Sequence, residues 1–434
     1  MTTYPLNQSQ LGIYLTCLNC NEEGNYNLDM LFHLEDDVDL ERLRLALEAV
    51  VAAHPYVKSR LQESESGEPV FVDCTEEPFK AEIIDAGSIE ELRPSLGTDY
   101  DLLHDRLFRL EIYRTAEDGN WLYVDFHHII FDGVSWSVFN DDLARAYDGE
   151  ALDAEKIDGF KIALDEVALR EGPAYSEARD WYVSEFGPAS ELESMPLADL
   201  NGEEEHFAKY LEPLAIDSQA LDNFCKMSGR KKSEVCTAAF GYTLSRFTAE
   251  EEVLFTTVFH GRNDRATRRS FTMMVRTLPV YQNFSGNPKV AEVLDSLAAQ
   301  TARTRSLAAY SFADAHSDFG INSDVSFAYQ GELHNLNITL CGKTYTGESL
   351  ITHTPGLKFL GMLIIEGGVP HIWCEYQTNK YSANFIKGFW NSYACVVNGM
   401  CSCEKLSEIS LCTTEQIKLL DSFNSHYVAI LVMR

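Results

Sequence analysis

Residues 126–136 read FHHIIFDGVSW, which sets two imidazoles, His127 and His128, side by side and follows them with Asp132 and Gly133. Imidazole is the side chain whose ordinary pKa suits proton exchange near neutral pH. Successive side chains on a strand point to opposite faces, so the two rings cannot both grip one ion. No Cys or His cluster at zinc spacing stands near them, which disfavours a metal site. A hydrogen-bonded core histidine is the plainer alternative. Yet His-His followed by Asp-Gly at this offset arises by chance in on the order of one chain in a thousand. The pattern suggests one ring facing a cavity and the other packed behind it. Gly133 would let the chain bend where side chains collide. Asp132 would sit at the turn, its charge stabilised by the start of the next helix.

Other candidate motifs fail. CGKT at 341–344 has Asn337 where a nucleotide-phosphate loop needs glycine. DFG at 318–320 lacks the companion loops of a kinase, and no Gly-x-Ser-x-Gly elbow occurs. GRNDRATRRS gathers Arg262, Arg265, Arg268 and Arg269, either as a solvated loop or as a docking spot for a phosphate or acidic partner. Cys17 and Cys20 have redox or half-zinc spacing, but neither CSC at 401–403 nor any other pair repeats it. The 11 cysteines therefore read as free thiols in a reducing cytoplasm. A formal charge of −32 opposes nucleic acid and anionic membranes as partners. No stretch reaches the roughly 18 apolar residues that span a bilayer, and no signal pattern opens the chain. The tail YVAILVMR is too short to anchor.

The elements that must position these residues follow from periodicity. A chain of 434 residues exceeds what one core usually supports, so two lobes are expected. YNLDMLFHL alternates as a strand. Asp39 caps a helix carrying Leu40, Leu43, Leu47 and Val50, which Pro55 stops. LFRLEIYR and WLYVDFHHII form a hairpin about Asp118-Gly119, and SWSVFNDDLARAYDG is a helix closed by Gly149. Residues 150–205 read as an acidic, irregular connection with helical pieces. Beyond it, Asp217 caps a helix ending at Gly229, and Ser233 caps EVCTAAFGYTLSRF. Strands are expected at EVLFTTVFHG, VRTLPVYQ, DVSFAYQG and FLGMLIIEG.

HHIIFDG matches the His-His-x-x-x-Asp-Gly signature of condensation domains of nonribosomal peptide synthetases, in the chloramphenicol acetyltransferase-like superfamily. Epimerisation domains and some acyl-CoA-dependent acyltransferases share that signature. The rest of the chain resembles condensation domains in order. YPLNQSQLGIYL resembles the opening motif around Gln10, and VVAAHPYVKSRL the second motif around His54 and Pro55. The stretch from KKSEVCTAAF to VFHGR, then MVRTLPV, VSFAYQ and CEYQTNKYSANFIKGF, resemble later motifs. LSEISLCTTEQIKLLDSFN is similar to the linker toward an adenylation domain. Two departures stand out. Met274 and Arg276 replace the family's Phe and Asn before Thr-Leu-Pro, and no Arg-Asp-x-Ser-Arg pattern precedes DVSFAYQ. Arg276 either tunes a substrate channel, for example by pairing with a carboxylate, or is a harmless surface change.

The resemblance implies an α/β fold: two acetyltransferase-like lobes (1–170 and 171–405) forming a V-shaped pseudo-dimer with a central tunnel, then a linker (406–434) toward an adenylation domain. It implies an amide-forming acyltransferase. Donor and acceptor thioesters arrive on the 4'-phosphopantetheine arms of upstream and downstream peptidyl carrier proteins. His128 would orient the amine or take its proton, and the Gly133 N–H would face the developing oxyanion. His127 would be structural support, and Asp132 would form a bidentate pair with Arg262. Ser135, Trp136, Arg276, Thr277 and Gln330 are expected along the substrate channel. No metal, no intrinsic cofactor and a monomeric excised domain in the cytoplasm are expected. The alternatives are an epimerisation domain, a non-catalytic carrier-binding module and a free-standing acyltransferase. The adenylation-type linker disfavours the first and third, and the intact His127, His128, Asp132 and Gly133 disfavour the second.

Overall fold

The computed structural model describes residues 2–19, 26–331, 336–350 and 357–422. Cys20 and the YVAILVMR tail lie outside them. The first part carries β1 (Thr3–Pro5), α1 (Gln8–Asn19), β2 (Asn27–Leu34), α2 (Leu40–Ala53), β3 (Arg60–Glu63), β4 (Pro69–Val72), β5 (Glu82–Ala86), α3 (Ile89–Leu92), β6 (Phe108–Thr115), β7 (Asn120–His127), α4 (Gly133–Tyr147) and α5 (Gly159–Arg170). The second carries α6 (Pro173–Phe186), β8 (Phe207–Pro213), α7 (Ser218–Ser228), α8 (Lys232–Thr248), β9 (Glu252–Phe259), β10 (Arg276–Asn283), α9 (Val290–Ser306), α10 (Phe312–Phe319), β11 (Val325–Gly331), β12 (Ile338–Leu340), β13 (Lys343–Tyr345), β14 (Phe359–Glu366), β15 (Val369–Gln377) and α11 (Ala383–Met400).

Two main sheets organise this mixed α/β chain, in the orders β2-β7-β6-β5 and β10-β9-β11-β14-β15-β8. In the first, β7 lies between β2 and β6. Asn27 stands opposite His127, and Phe108 stands opposite Phe126. From Leu122 to His127 every residue of β7 is buried, so the strand reads as nearly continuous apolar sequence. The hairpin to β6 turns at Gly119, whose φ of +79° suits glycine. The Asp39 carboxylate accepts the Arg42 N–H at 3.1 Å and starts α2, which buries Leu43, Leu47 and Val50. In the second sheet, α8, α9 and α11 cover strands β9, β11, β14 and β15 through one apolar cluster that includes Phe240, Leu294 and Trp390.

The connection, expected to be irregular with helical pieces, carries two helices, α5 and α6, while residues 190–206 form neither helix nor strand. Asp158 caps α5 by accepting the Lys161 N–H at 2.8 Å. α6 starts on Pro173 and buries Ala178, Tyr182 and Phe186 on one stripe. α8 begins earlier than Ser233: Lys231 is its N-cap, and Glu234 reaches back to the Lys231 N–H at 3.1 Å, so Ser233 lies inside the first turn.

The second part also reaches into the first. Ile338, Leu340 and Tyr345 of the β12–β13 hairpin join the apolar cluster of the first sheet, as do Phe271 and Met273. The Thr339 N–H donates to Asn140 Oδ1 of α4 at 2.8 Å. At Gly347 a Cβ would sit 2.6 Å from Phe32 and 2.8 Å from Met30, so only glycine lets the strap lie this close. Ten of the cysteines are free thiols. Among the described residues no helix is long and apolar enough to cross a membrane.

Candidate active site

β7 ends at His127, the chain turns through Ile129–Phe131, and Asp132 caps α4. The turn separates the two imidazoles. His127 is only 4% exposed and points inward. Its Nδ1 accepts the Ile129 N–H at 3.1 Å, which leaves the ring proton on Nε2, 4.0 Å from Cys17 Sγ. Burial, reinforced by the neighbouring His128, pushes its pKa down to about 3, so the ring stays neutral. His128 is half-buried. Its backbone N–H donates to the Tyr26 carbonyl at 2.6 Å. Its Nδ1 lies 2.7 Å from the Phe131 carbonyl, which can only accept, so the neutral ring carries its proton on Nδ1. No described residue bonds Nε2, which keeps its lone pair.

Asp132 is completely buried, and both its oxygens are occupied. Oδ1 accepts the Ser135 N–H at 2.9 Å and the Ser135 hydroxyl at 3.0 Å. Oδ2 accepts Arg262 Nη1 at 2.7 Å and the Met274 N–H at 3.0 Å. Arg262 grips the carboxylate with one prong, not the two expected. Its Nη2 donates to the Ser135 hydroxyl and to the Ser270 and Thr272 carbonyls at 3.1, 2.8 and 3.0 Å. The second prong serves the backbone because the 270–274 segment must be held against α4. Gly261 makes that close approach possible: its φ is +73°, and a Cβ would lie 2.1 Å from the Met274 carbonyl oxygen.

Two further groups hold the turn. Gln10 Nε2 donates to the Ile129 carbonyl at 3.0 Å and to the Tyr56 hydroxyl at 2.8 Å. Asn7 Nδ2 donates to the Met273 carbonyl at 2.9 Å. Beneath α4, His54 Nε2 lies 2.8 Å from Asp142 Oδ2 and Nδ1 lies 3.5 Å from Glu155 Oε2, all buried. Burial lowers the His54 pKa, but the bonds to Asp142 and Glu155 outweigh it and hold the pKa above its ordinary value. Arg269 completes this cluster by pairing with Asp141 at 2.9 Å and with Asp142. Residue types alone did not single out Gln10 or His54; the motifs around them were the only signal.

The remaining candidates scatter. A Cβ at Gly133 would meet nothing within 4 Å, so crowding within the chain is not what requires this glycine. The residue is exposed, and open space lies beyond it. Trp136, expected along a channel, is 1% exposed and packs among Phe32, Phe131 and Phe139, because its side chain falls on the buried stripe of α4. Ser135 belongs to the Asp132 network. Arg276 is not an idle surface residue: it donates to the Arg305 and Leu307 carbonyls at 3.1 Å each, at the C-terminus of α9. Thr277 is exposed on β10, and half-buried Gln330 has, among the described residues, a 4.0 Å contact with Met362 Sδ. Among the described residues no group of His, Cys, Asp or Glu could hold a metal ion.

With its turn, capped helix and Arg262–Asp132 clamp, the chain belongs to the condensation domain family, whose model matches residues 1–419. It is 23% identical over 283 residues to tyrocidine synthase 3 of Brevibacillus parabrevis, a match covering 63% of this chain and 4% of that protein. It is 22% identical over 298 residues to bacitracin synthase 3 of Bacillus licheniformis, covering 67% of this chain and 5% of that protein. The chain thus spans a small fraction of the length of these relatives. Its fold is similar to that of the first condensation domain of the calcium-dependent antibiotic synthetase in complex with a substrate analogue, with a TM-score of 0.75 at 17% identity over 95% of this chain and 99% of that one. It is also similar to part of a four-domain nonribosomal peptide synthetase bound to AMP and glycine, with a TM-score of 0.78 at 15% identity over 96% of this chain and 34% of that one.

Proposed function

We propose that the chain forms an amide bond between a donor acyl or aminoacyl thioester and the amine of an acceptor aminoacyl thioester, each tethered to a carrier protein through 4'-phosphopantetheine. The single observation that carries this reading is the fixed His128 ring, with Nδ1 tied to the Phe131 carbonyl at 2.7 Å and Nε2 left for the reactants. The acceptor nitrogen attacks the donor carbonyl carbon, forming a C–N bond. The C–S bond then breaks, and the donor arm leaves as a thiol. The proton lost by the amine passes to the sulfur by way of His128 Nε2.

The energetics favour positioning. An α-amino group with a pKa of about 7.7–8.0 is roughly a tenth to a third neutral near pH 7–7.5, so waiting for the neutral form costs only about 1 kcal/mol. Holding amine and carbonyl in contact contributes about 7–11 kcal/mol. The orientation of His128 is therefore worth more than its basicity. His127, kept neutral behind it, adds no competing charge. The Gly133 N–H, at the first position of α4, is the donor for the oxyanion. Asp132 holds the loop and transfers no proton, since each of its oxygens already accepts two hydrogen bonds. An upstream donor carrier, a downstream acceptor carrier and an adjacent adenylation domain are the partners this chemistry needs. Transfer between two separately loaded carriers tests it, because the acceptor arm must gain the mass of the donor acyl group.

A further inference from the structure

A recess of about 60 Å³, room for several water molecules, opens between the first turn of α8, the end of α9 and strand β9. Ser233, Thr237, Thr257 and Arg305 line it, with Glu234 at its side. Thr237 and Thr257 are 7% and 8% exposed, and their hydroxyls bond to no described residue. Arg305 is half-buried, and its Nε is enclosed without a partner. Its guanidinium lies 4.8 Å from the Phe259 ring centre and forms no ion pair among the described residues, whereas Arg303 on the same helix pairs with Glu177 at 2.7 Å. Arg276 already caps the end of α9, so Arg305 is not needed there. The recess thus gathers a half-buried guanidinium, with Glu234 as its nearby charge, and two hydroxyls that no described residue engages, so it offers donors to a ligand that supplies acceptors. The nearby start of a 17-residue helix favours negative charge. Glu234 opposes a doubly charged group, which leaves a singly charged one as the fit.

We propose that this recess holds a singly charged oxyanion carried by one of the tethered substrates, with Arg305, Thr237 and Thr257 as its donors. The inference rests on the carrier-tethered reaction above. Two groups offer this chemistry: the phosphodiester joining the arm to its carrier, and a carboxylate on the acyl group. The five steps of chain from Thr257 to Arg262 span at most about 18 Å when fully extended. The recess is therefore within an arm's reach of the Arg262–Asp132 clamp.

The test is calorimetric binding of three unreactive thioether probes to the full chain: an uncharged acyl group on pantetheine, the same group on the methyl phosphodiester of pantetheine, and a glutaryl group on pantetheine. One anionic probe should bind on the order of 10- to 100-fold tighter than the neutral one, and which one it is names the source. Arg305→Ala should abolish that preference and Arg305→Lys retain part of it. Thr237→Val, which keeps the shape and removes one donor, should weaken it several-fold and serves if Arg305→Ala fails to fold. His128→Ala should leave it intact, which separates this site from turnover. Equal affinities for all three probes, or a preference that survives both Arg305→Ala and Thr237→Val, overturns the proposal.

Discussion

Arg262 Nη1 and Asp132 Oδ2 meet at 2.7 Å across 130 residues of chain, and the two side chains are 1% and 0% exposed. The pair fastens the loop after β9 to the first turn of α4, and so sets the position of the His128 turn. Removing one partner of a buried pair strands the other charge, at a cost of about 3–5 kcal/mol. Asp132→Ala should lower the melting temperature and the soluble yield as well as turnover. Asp132→Asn should do the same to a lesser degree. Thermal melts and single-turnover assays check both; unchanged stability and turnover in Asp132→Asn would exclude the clamp.

His128→Ala should behave differently. The ring is half-buried and, among the described residues, its side chain bonds to the Phe131 carbonyl and has one ring contact, with Tyr26, so the fold should survive with a melting temperature near that of the wild type. Product formation should fall on the order of 10²–10⁴-fold. A parallel drop in stability would mean that the ring is structural.

Gly133→Ala separates packing from catalysis. A methyl group there meets nothing within 4 Å, and the position opens a helix, so stability should be unchanged or rise by about 0.5 kcal/mol. Alanine keeps the N–H but puts a methyl group into the open space where the oxyanion would lie, so turnover should drop while circular dichroism melts do not. Full activity in Gly133→Ala would free this edge of the site from any role.

Asp125 gives a pH test. It is fully buried, and burial pushes its pKa up to about 7 despite Arg109 and the hydroxyls of Tyr100 and Tyr123. The folded state therefore binds a proton that the unfolded chain releases near pH 4, so this contribution is complete below about pH 4 and is lost as pH rises through about 7. Asp125→Asn should flatten that loss: relative to wild type it should gain stability, up to a few kcal/mol, between pH 4 and 8. Denaturant midpoints at both pH values measure the difference, and parallel curves would refute the assignment.

Much of the local structure is legible in the sequence because short spacings govern it. Asp39 and Asp217 announce α2 and α7, Gly119 marks the β6–β7 hairpin and Gly229 the end of α7, and the nearly continuous apolar run of β7 delivers His127 to the interior. What spacing cannot reveal is which distant segments meet. That Gln10 supports the Ile129 carbonyl, that His54 joins Asp142 and Glu155, and that Thr339 straps Asn140 are consequences of tertiary packing. The same limit explains Trp136 and Arg276. Both sit near the expected channel in sequence, but helix phase buries one ring and the end of α9 engages the other guanidinium.

The most direct measurement is intact-protein mass spectrometry of two loaded carrier proteins mixed with the chain in deuterated water. The expected result is that the acceptor carrier gains the donor acyl mass, the donor carrier returns to its free thiol, and no deuterium enters at the α-carbon. Deuterium at the α-carbon with no mass transferred between carriers would contradict amide formation at His128.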